Sequence, residues 1–314
     1  MNILSSFIKT LRVGKRTVYK NLAIYPVYGR AEEEFVFITL DEAMAEGYVK
    51  IKENDVARVP ELLVTNSSGY DLLIVQGEEL IGAKQNRTVN ATVVVPARCT
   101  INIPVSCTES GRWREGKSGV YMHKSSPYCS IPSVRSSIAD SVSSSLKSYG
   151  DYSSDQREVW ESISRNLRFF KVSSQTEAQA DMYENKKEEV KTYINAFGIE
   201  PEQCGIIGEV NNRLYFAEFF CQPEIFAKLH KKLVSSLAME ALVRKKADDI
   251  EEETTPEDFL KGFENSTFSQ HDAPGKGVHI TIEGKKLKGM ALAIGEKIVH
   301  LYGFRISQGG RLQR

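Results

Sequence analysis

The apolar residues between positions 17 and 107 fall in short runs, at 22–27, 35–39, 48–52, 61–65, 71–75, 91–95 and 100–105. The runs are rich in Val, Ile, Leu, Tyr and Phe and are separated by turn signals such as Asn66-Ser67-Ser68-Gly69 and Pro96-Ala97, so they predict β-strands. Strands this close in sequence leave no room for helical crossovers, which predicts antiparallel pairing in a sandwich or partly closed barrel. One short helix is expected among them. The stretch DEAMAEG, 41–47, has acids in its first turn and a glycine at its end, an arrangement that suits the helix dipole and a C-cap.

From Thr108 to Tyr152 the chain becomes rich in Ser, Gly, Arg and Tyr, and a connection of that length inside a compact protein is usually either functional, for example a lid, or disordered. Within it, Ile138, Val142 and Leu146 at i, i+4 and i+8 predict one amphipathic helix over 135–148. The middle third is helical. Val159, Trp160, Ile163 and Leu167 share a face of a helix opened by a Ser153/Gln156 capping box, and Ser174 with Glu177 opens a second. The runs 204–210 and 213–220 flank Asn211-Asn212, a dipeptide that tolerates positive φ, and predict a hairpin. Pro223 starts a helix whose stripe of Phe226, Leu229, Leu233, Leu237 and Ala241 should pack on that hairpin. The acidic run 248–253 reads as a solvated linker, Thr255-Pro256-Glu257-Asp258 begins a short helix, and 277–283, 286–294 and 297–304 predict a meander.

The expected fold class is α+β: an N-terminal antiparallel β-rich sandwich or partial barrel, a helical middle, and a C-terminal β-hairpin and meander. The expected division is a β-rich domain over 1–115, a Ser-rich connection or lid over 116–152, and a helical and meander region over 153–314 packed on the first.

The 314 residues suffice for one large core or two modest ones. Lys plus Arg and Asp plus Glu both number 41, so no whole-chain field favours nucleic acid or an anionic membrane, and any basic site must be local. No extended nucleic-acid surface is indicated. The first sixteen residues, MNILSSFIKTLRVGKR, lack a long apolar run and a small-residue cleavage site, and no stretch approaches the ~18 apolar residues of a membrane span. A cytoplasmic location without membrane partners is the expectation. The five cysteines are widely spaced with no CxxC pair, which reads as buried thiols.

Polar chemistry concentrates between Gly77 and Arg114, in QGEELIGAKQNRTVN and then ESGRWR. Glu78 and Glu79 are the carboxylates able to act as general base; Lys84, Arg87, Arg112 and Arg114 can neutralise phosphate; Gln85 and Asn86 both donate and accept; Trp113 can stack a base or sugar face. Gly77 and Gly82 allow sharp turns or close ligand approach. The competing reading is a solvated loop between strands, with its cations guarding an exposed edge.

The run GEELIGAKQNR, the VPA and IPVSC segments with ESGRW, the SDQREVW stretch, and the closing GKGVHITIEGKKLKGMAL with VHLYGF resemble a bacterial and archaeal family, the ARG and rhodanese-phosphatase-superfamily-associated protein domain. ARG stands for ADP-ribosylglycohydrolase, and the resemblance runs from about Tyr19 to Phe304. It implies association with enzymes that process ADP-ribose and phosphate, and assigns the family no reaction. Position by position it points to Glu78, Glu79, Lys84, Gln85, Asn86, Arg87, Arg112, Trp113, Asp155, Gln156 and Trp160, with no assigned role for any.

Sharper chemistries lack their spacing. His123 and Cys129 with Glu78 or Glu79, or His279 and His300, could contribute to a metal site, yet none sits at zinc spacing, and no metal is assigned. Cys107 ends the strand INIPVSC, where a buried thiol is the ordinary outcome. There is no Walker loop and no GxGxxG. The favoured expectation is a site over 77–114 for an ADP-ribose-like or other phosphorylated nucleotide. In it Lys84, Arg87 and Arg112 meet phosphate, Gln85 and Asn86 fix a base or ribose, Trp113 stacks, and the Asp155-Gln156 helix start closes it; Glu78 or Glu79 is the base if the chain is an enzyme. The cofactor is unknown, and an ADP-ribose-processing or phosphatase protein is the expected partner. The alternative is a non-catalytic interaction or scaffold module whose polar cluster is structural. Geometry separates the two: a site gathers Glu78, Lys84, Arg87 and Arg112 around one hollow, whereas a structural network pairs them off. Removal or transfer of ADP-ribose in a stress or antiviral pathway rests on association alone.

Overall fold

The computed structural model describes residues 3–29, 35–54, 60–113, 119–244 and 254–306. Six of its strands close into a barrel: β5 (Val49–Glu53), β6 (Glu61–Asn66), β8 (Glu78–Gly82), β9 (Arg87–Val89), β11 (Thr100–Cys107) and β12 (Tyr121–Cys129), in the order β11-β6-β5-β12-β8-β9. Inward residues such as Ile51, Leu62, Val64, Leu80, Val89 and Ile103 fill it, and α2 (Leu40–Ala45) adds Leu40 and Ala43 to the same core. The start of α2 is fixed by Glu42, whose carboxylate accepts from the Thr39 backbone N–H and hydroxyl at 2.9 and 2.8 Å.

A small sheet, β10 (Val93–Val95), β7 (Asp71–Ile74) and β4 (Phe37–Thr39), lies beside the barrel. Here one pair departs from the antiparallel expectation: β4 runs parallel to β7. The intervening chain carries α2 and two barrel strands, long enough for the crossover that parallel pairing needs.

The third sheet has nine antiparallel strands. It contains β1 (Arg12–Val13), β2 (Thr17–Tyr19), β3 (Leu22–Tyr28), β13 (Gln203–Val210), β14 (Arg213–Phe220), β15 (Thr267–Asp272), β16 (Val278–Glu283), β17 (Leu287–Ile294) and β18 (Lys297–Arg305). The order is β1-β3-β13-β14-β18-β17-β16-β15, with β2 also on β3. The strand expected at 22–27 with the N-terminal β-rich part thus joins the C-terminal half through the β3–β13 pairing of Ile24 with Gly208, and carries with it β1 and β2, which the apolar pattern did not predict. The hairpin β13–β14 turns at Asn211 and Asn212, both at positive φ.

Alternation along the strands gives this sheet two buried faces. One presents Ile206, Val210, Phe216, Phe220 and Tyr302 to the long helix α7 (Pro223–Val243) and its neighbours α3 (Pro132–Tyr149), α4 (Gln156–Phe170), α5 (Gln179–Asn185) and α6 (Lys187–Ala196). The other presents Ile207, Leu214, Phe219 and Leu301 to α1 (Ile3–Thr10) and α8 (Pro256–Glu264). The α7 stripe of Phe226, Leu229, Leu233, Leu237 and Ala241 is buried, as its spacing predicts. The Ser-rich stretch carries β12 and α3, and Ile138, Val142 and Leu146 of α3 are buried.

Two helix starts differ from the capping-box reading. Asp155, not Ser153, caps α4, accepting from the N–H groups of Arg157 and Glu158; Ser174 accepts from Ala178 N–H at 3.0 Å, but α5 begins only at Gln179. An Asp next to the first helical turn outcompetes a Ser two residues further out. The edge strand β15 is unpredicted because its sequence, TFSQHD, is nearly all polar. The acidic run 248–253 and Arg114 lie outside the described residues.

Candidate functional site

Gly77 turns the chain into β8 at a φ of 88°, and β8 then pairs with β9, Glu79 opposite Thr88 and Leu80 opposite Arg87. Strand alternation sends the two adjacent glutamates to opposite sides. Glu78 accepts from the Val75 N–H at 2.8 Å and from Lys232 of α7 at 2.7 Å, and Lys232 also reaches Asp41 at 2.7 Å. Burial lowers the lysine's proton affinity, but the two carboxylates outweigh it and hold the ammonium charged.

Glu79 lies in a different setting. It is fully buried and accepts from Thr108 at 2.6 Å, Ser126 at 2.9 Å and the Gln179 amide at 3.2 Å, and Tyr128 bonds it as well. Burial raises its pKa, and these uncharged donors only partly oppose that. The Gln179 amide also donates to Ser130 at 3.0 Å, while its Oε1 is buried without a partner among the described residues.

The remaining candidates meet at a corner organised by Glu109. Its carboxylate accepts from the Asn86 N–H at 3.2 Å and from Arg112 Nε at 2.9 Å, and its carbonyl accepts from Gln85 at 2.7 Å. Burial pushes Glu109 up, yet Arg112, Thr176 and the Asn86 N–H together hold it below the ordinary value. Arg112 further donates to the Ala83 carbonyl at 2.7 Å and to Asn86 Oδ1 at 3.2 Å, clamping the β8–β9 turn. Arg87 is buried and donates to Gln85 at 2.9 Å, Cys107 Sγ at 2.6 Å and Glu53 at 3.2 Å; its Nε has no partner among the described residues. Burial lifts the Cys107 thiol to about 11, more than Arg87 lowers it, so a nucleophilic thiolate is disfavoured at neutral pH.

Gln156 holds the start of α4 to the end of β11, accepting from the Cys107 N–H at 2.7 Å and donating to the Cys107 carbonyl at 2.8 Å. Asp155 is engaged in capping α4. Trp113 is 55% exposed, with the Lys84 ammonium 5.7 Å and the Arg87 guanidinium 6.0 Å from its ring centre. The fold therefore brings Lys84, Gln85, Asn86, Arg87, Arg112, Trp113 and Gln156 to one corner. Glu79 touches it through Thr108, and Glu78 stands apart with Lys232.

A second polar network lies between the barrel side and the large sheet. Arg135 of α3 donates to both oxygens of Glu218 at 3.0 and 2.8 Å and to Gln76 at 2.7 Å, and stacks over Phe216 at 4.9 Å. His300 lies 2.9 Å from Glu218 and 2.8 Å from Thr92, which also accepts from the Gln76 N–H at 3.0 Å. Burial lowers the His300 pKa, with Glu218 opposing, so the ring is neutral, donating to Glu218 and accepting from Thr92.

Sequence reasoning missed Glu109, Gln179, Lys232, Arg135 and Glu218. The usable signal was a charge inside an apolar pattern: Lys232 adjoins Leu233 in the α7 stripe, and Glu218 interrupts LYFAEFF. Among the described residues, no group of three or more His, Cys, Asp or Glu is placed to hold a metal ion, and no helix is long and apolar enough to cross a membrane.

No curated protein and no solved structure matches the chain. The motifs around this corner and along the closing strands nevertheless have a family counterpart: the model of the ARG and Rhodanese-Phosphatase-superfamily-associated Protein domain matches residues 10–304, and the chain belongs to that family.

Proposed function

We propose that this chain is a binding module rather than a catalyst, and that it meets a phosphorylated, nucleotide-type ligand such as ADP-ribose at the barrel rim formed by Lys84, Arg112 and Trp113. The observation that carries this reading is the contrast between the exposed indole of Trp113, with two cations near it, and the buried, mutually bonded side chains beneath. Glu78 is neutralised by Lys232, and Glu79 is sealed among uncharged donors, so neither has the access to substrate that a general base needs. Gln85, Asn86 and Arg87 support the rim through Glu109, Cys107 and Glu53. The family's name links it with ADP-ribosylglycohydrolases and phosphatases, which favours a ligand with ribose and phosphate.

The test is thermal unfolding with ADP-ribose, NAD, ADP or inorganic phosphate, each with and without magnesium. A ligand at about 100 times its dissociation constant adds roughly 2.7 kcal/mol of stability. The expected result is a selective rise that Trp113→Ala and Lys84→Ala abolish without changing the unliganded melting temperature. No rise with any of the four overturns this reading. A protein-interaction module then takes its place, favoured by the closed pairing of Glu78, Arg87 and Arg112 with other protein groups, and co-purification with a family-associated ADP-ribosylglycohydrolase or phosphatase tests it.

A further inference from the structure

Away from the Trp113 rim, the loop after α6 crosses the edge of the large sheet and leaves a crevice of about 240 Å³ between β2, β3, β13 and α7. Its apolar walls are Ile24, Pro26, Phe197 and Ile199. His230 of α7 also lines it. This residue is only 6% exposed, and its ring nitrogens have no hydrogen-bond partner among the described residues. Its one ring contact is edge-on to Phe226, at 5.5 Å. An imidazole without a protein partner in the wall of a crevice is open to whatever occupies that space, water or a ligand.

The other polar groups differ in what they have left to offer. Gln203 is fully engaged: its Oε1 accepts from the Glu200 N–H and its amide donates to the Gly205 carbonyl, both at 3.0 Å. Glu200 accepts from the Tyr28 hydroxyl through one oxygen, which leaves the second as an acceptor. Thr17 adds a hydroxyl at the edge.

We propose that this crevice is a second binding site, one that takes a flat, uncharged heteroaromatic ring bearing an amino group, the chemistry of a purine or pyrimidine base. The volume lies below the ~300–1,000 Å³ of sites that hold drug-sized ligands, which fits one ring system. The apolar walls take the ring faces, the amino group donates to Glu200, and a ring nitrogen pairs with His230. Burial lowers the His230 pKa to about 4, with Lys231 adding to it, so the imidazole is neutral at pH 7 and carries one donor and one acceptor. A phosphate would face the Glu200 carboxylate, and a sugar would leave the apolar walls unused. None of these residues belongs to the Trp113 corner, so the site stands or falls independently of it.

The test uses the full chain with histidine labelled at the ring Cε1, which gives one resonance for each of the five histidines, and the His230 signal is assigned with a His230→Gln variant. Adenine is titrated to millimolar concentration against wild type and Gly198→Val. Gly198 lines the crevice, a Cβ there has open space around it and its backbone is outside the left-handed region, so valine adds bulk at the crevice wall without backbone strain. The expected result is a saturable shift confined to His230, weakened at least tenfold in Gly198→Val, with indole, which lacks the amino group and ring acceptor, binding at least tenfold more weakly than adenine. No saturable shift, or equal affinity in Gly198→Val, overturns the site. Equal affinity for indole overturns the ligand class.

Discussion

The Arg135 guanidinium and the Glu218 carboxylate form a two-pronged ion pair, at 2.8 and 3.0 Å, between two side chains with no exposed surface. Burial alone would raise the Glu218 pKa, but Arg135 and His300 hold it below the ordinary value. The two residues come from α3 and β14, so the pair fixes a helix to the centre of the large sheet on which it packs, and Arg135 links both to Gln76 in the turn before β8. Removing one partner leaves a buried charge uncompensated, at a cost of about 3–5 kcal/mol. Urea unfolding of Arg135→Met and of Glu218→Gln should each show a loss of that size. The double variant Arg135→Met/Glu218→Leu should lose less than the sum, because both charges leave together.

Gly77 should tolerate no side chain. Its φ of 88° disfavours L residues, and a Cβ there would lie 2.6 Å from Arg135 Nε. Gly77→Ala is expected to destabilise by more than the ~1 kcal/mol of ordinary glycine replacements at positive φ, because it also displaces Arg135 from Gln76 and Glu218. A shift of the urea midpoint similar to that of Arg135→Met would confirm the coupling. A wild-type midpoint would refute it.

Glu79 should be a liability at neutral pH. Its folded pKa is raised above the unfolded value of about 4.5, so the stability it contributes is fully present below pH 4.5 and is lost as pH rises through the folded pKa. Glu79→Gln should therefore gain on wild type as pH climbs from 4.5 to 8. The added amide has an acceptor at hand, since the Gln179 amide can turn its unpartnered Oε1 toward it. Melting temperatures of the two proteins across this range that run parallel would sink the assignment.

The buried histidines act in the opposite sense. His279 donates from one ring nitrogen to the Thr92 carbonyl at 2.7 Å and meets the Tyr152 hydroxyl with the other; burial lowers its pKa to about 4, against an ordinary 6.5. Stability from this group is complete above pH 6.5 and is lost as pH falls toward 4, by about 1.4 kcal/mol per pH unit at the steepest. His279→Gln, which keeps a donor for Thr92, should flatten the pH dependence of urea stability by that slope between 4 and 6.5.

The legible parts of the fold were those where a repeating pattern coincided with one environment. The α7 stripe and the helix at Ile138, Val142 and Leu146 each face a single apolar layer, and their periodicity states it directly; the Asn211-Asn212 hairpin and the closing meander are buried on both faces and read instead as near-continuous apolar runs between turn signals. The corner around Glu109 was legible as a concentration of polar residues between 77 and 114. What composition hides is the direction of a side chain: Glu78 and Glu79 are neighbours in sequence yet serve different networks, because a strand turns alternate residues to opposite sides. Partners such as Lys232 and Gln179, which lie 154 and 100 residues away, carry no local signal of that pairing.

The pairing of β3 with β13 also sets the order in which the chain can fold during synthesis. The barrel strands all lie between Val49 and Cys129, so the barrel can close once that stretch has left the ribosome. Strand β3, made earlier, has no partner on its β13 side until residue 210 has emerged, and its apolar segment LAIYPV stays uncovered in the interval. At ordinary synthesis rates of about 5–20 residues per second this exposure lasts many seconds, which makes the nascent chain a natural client for holding chaperones.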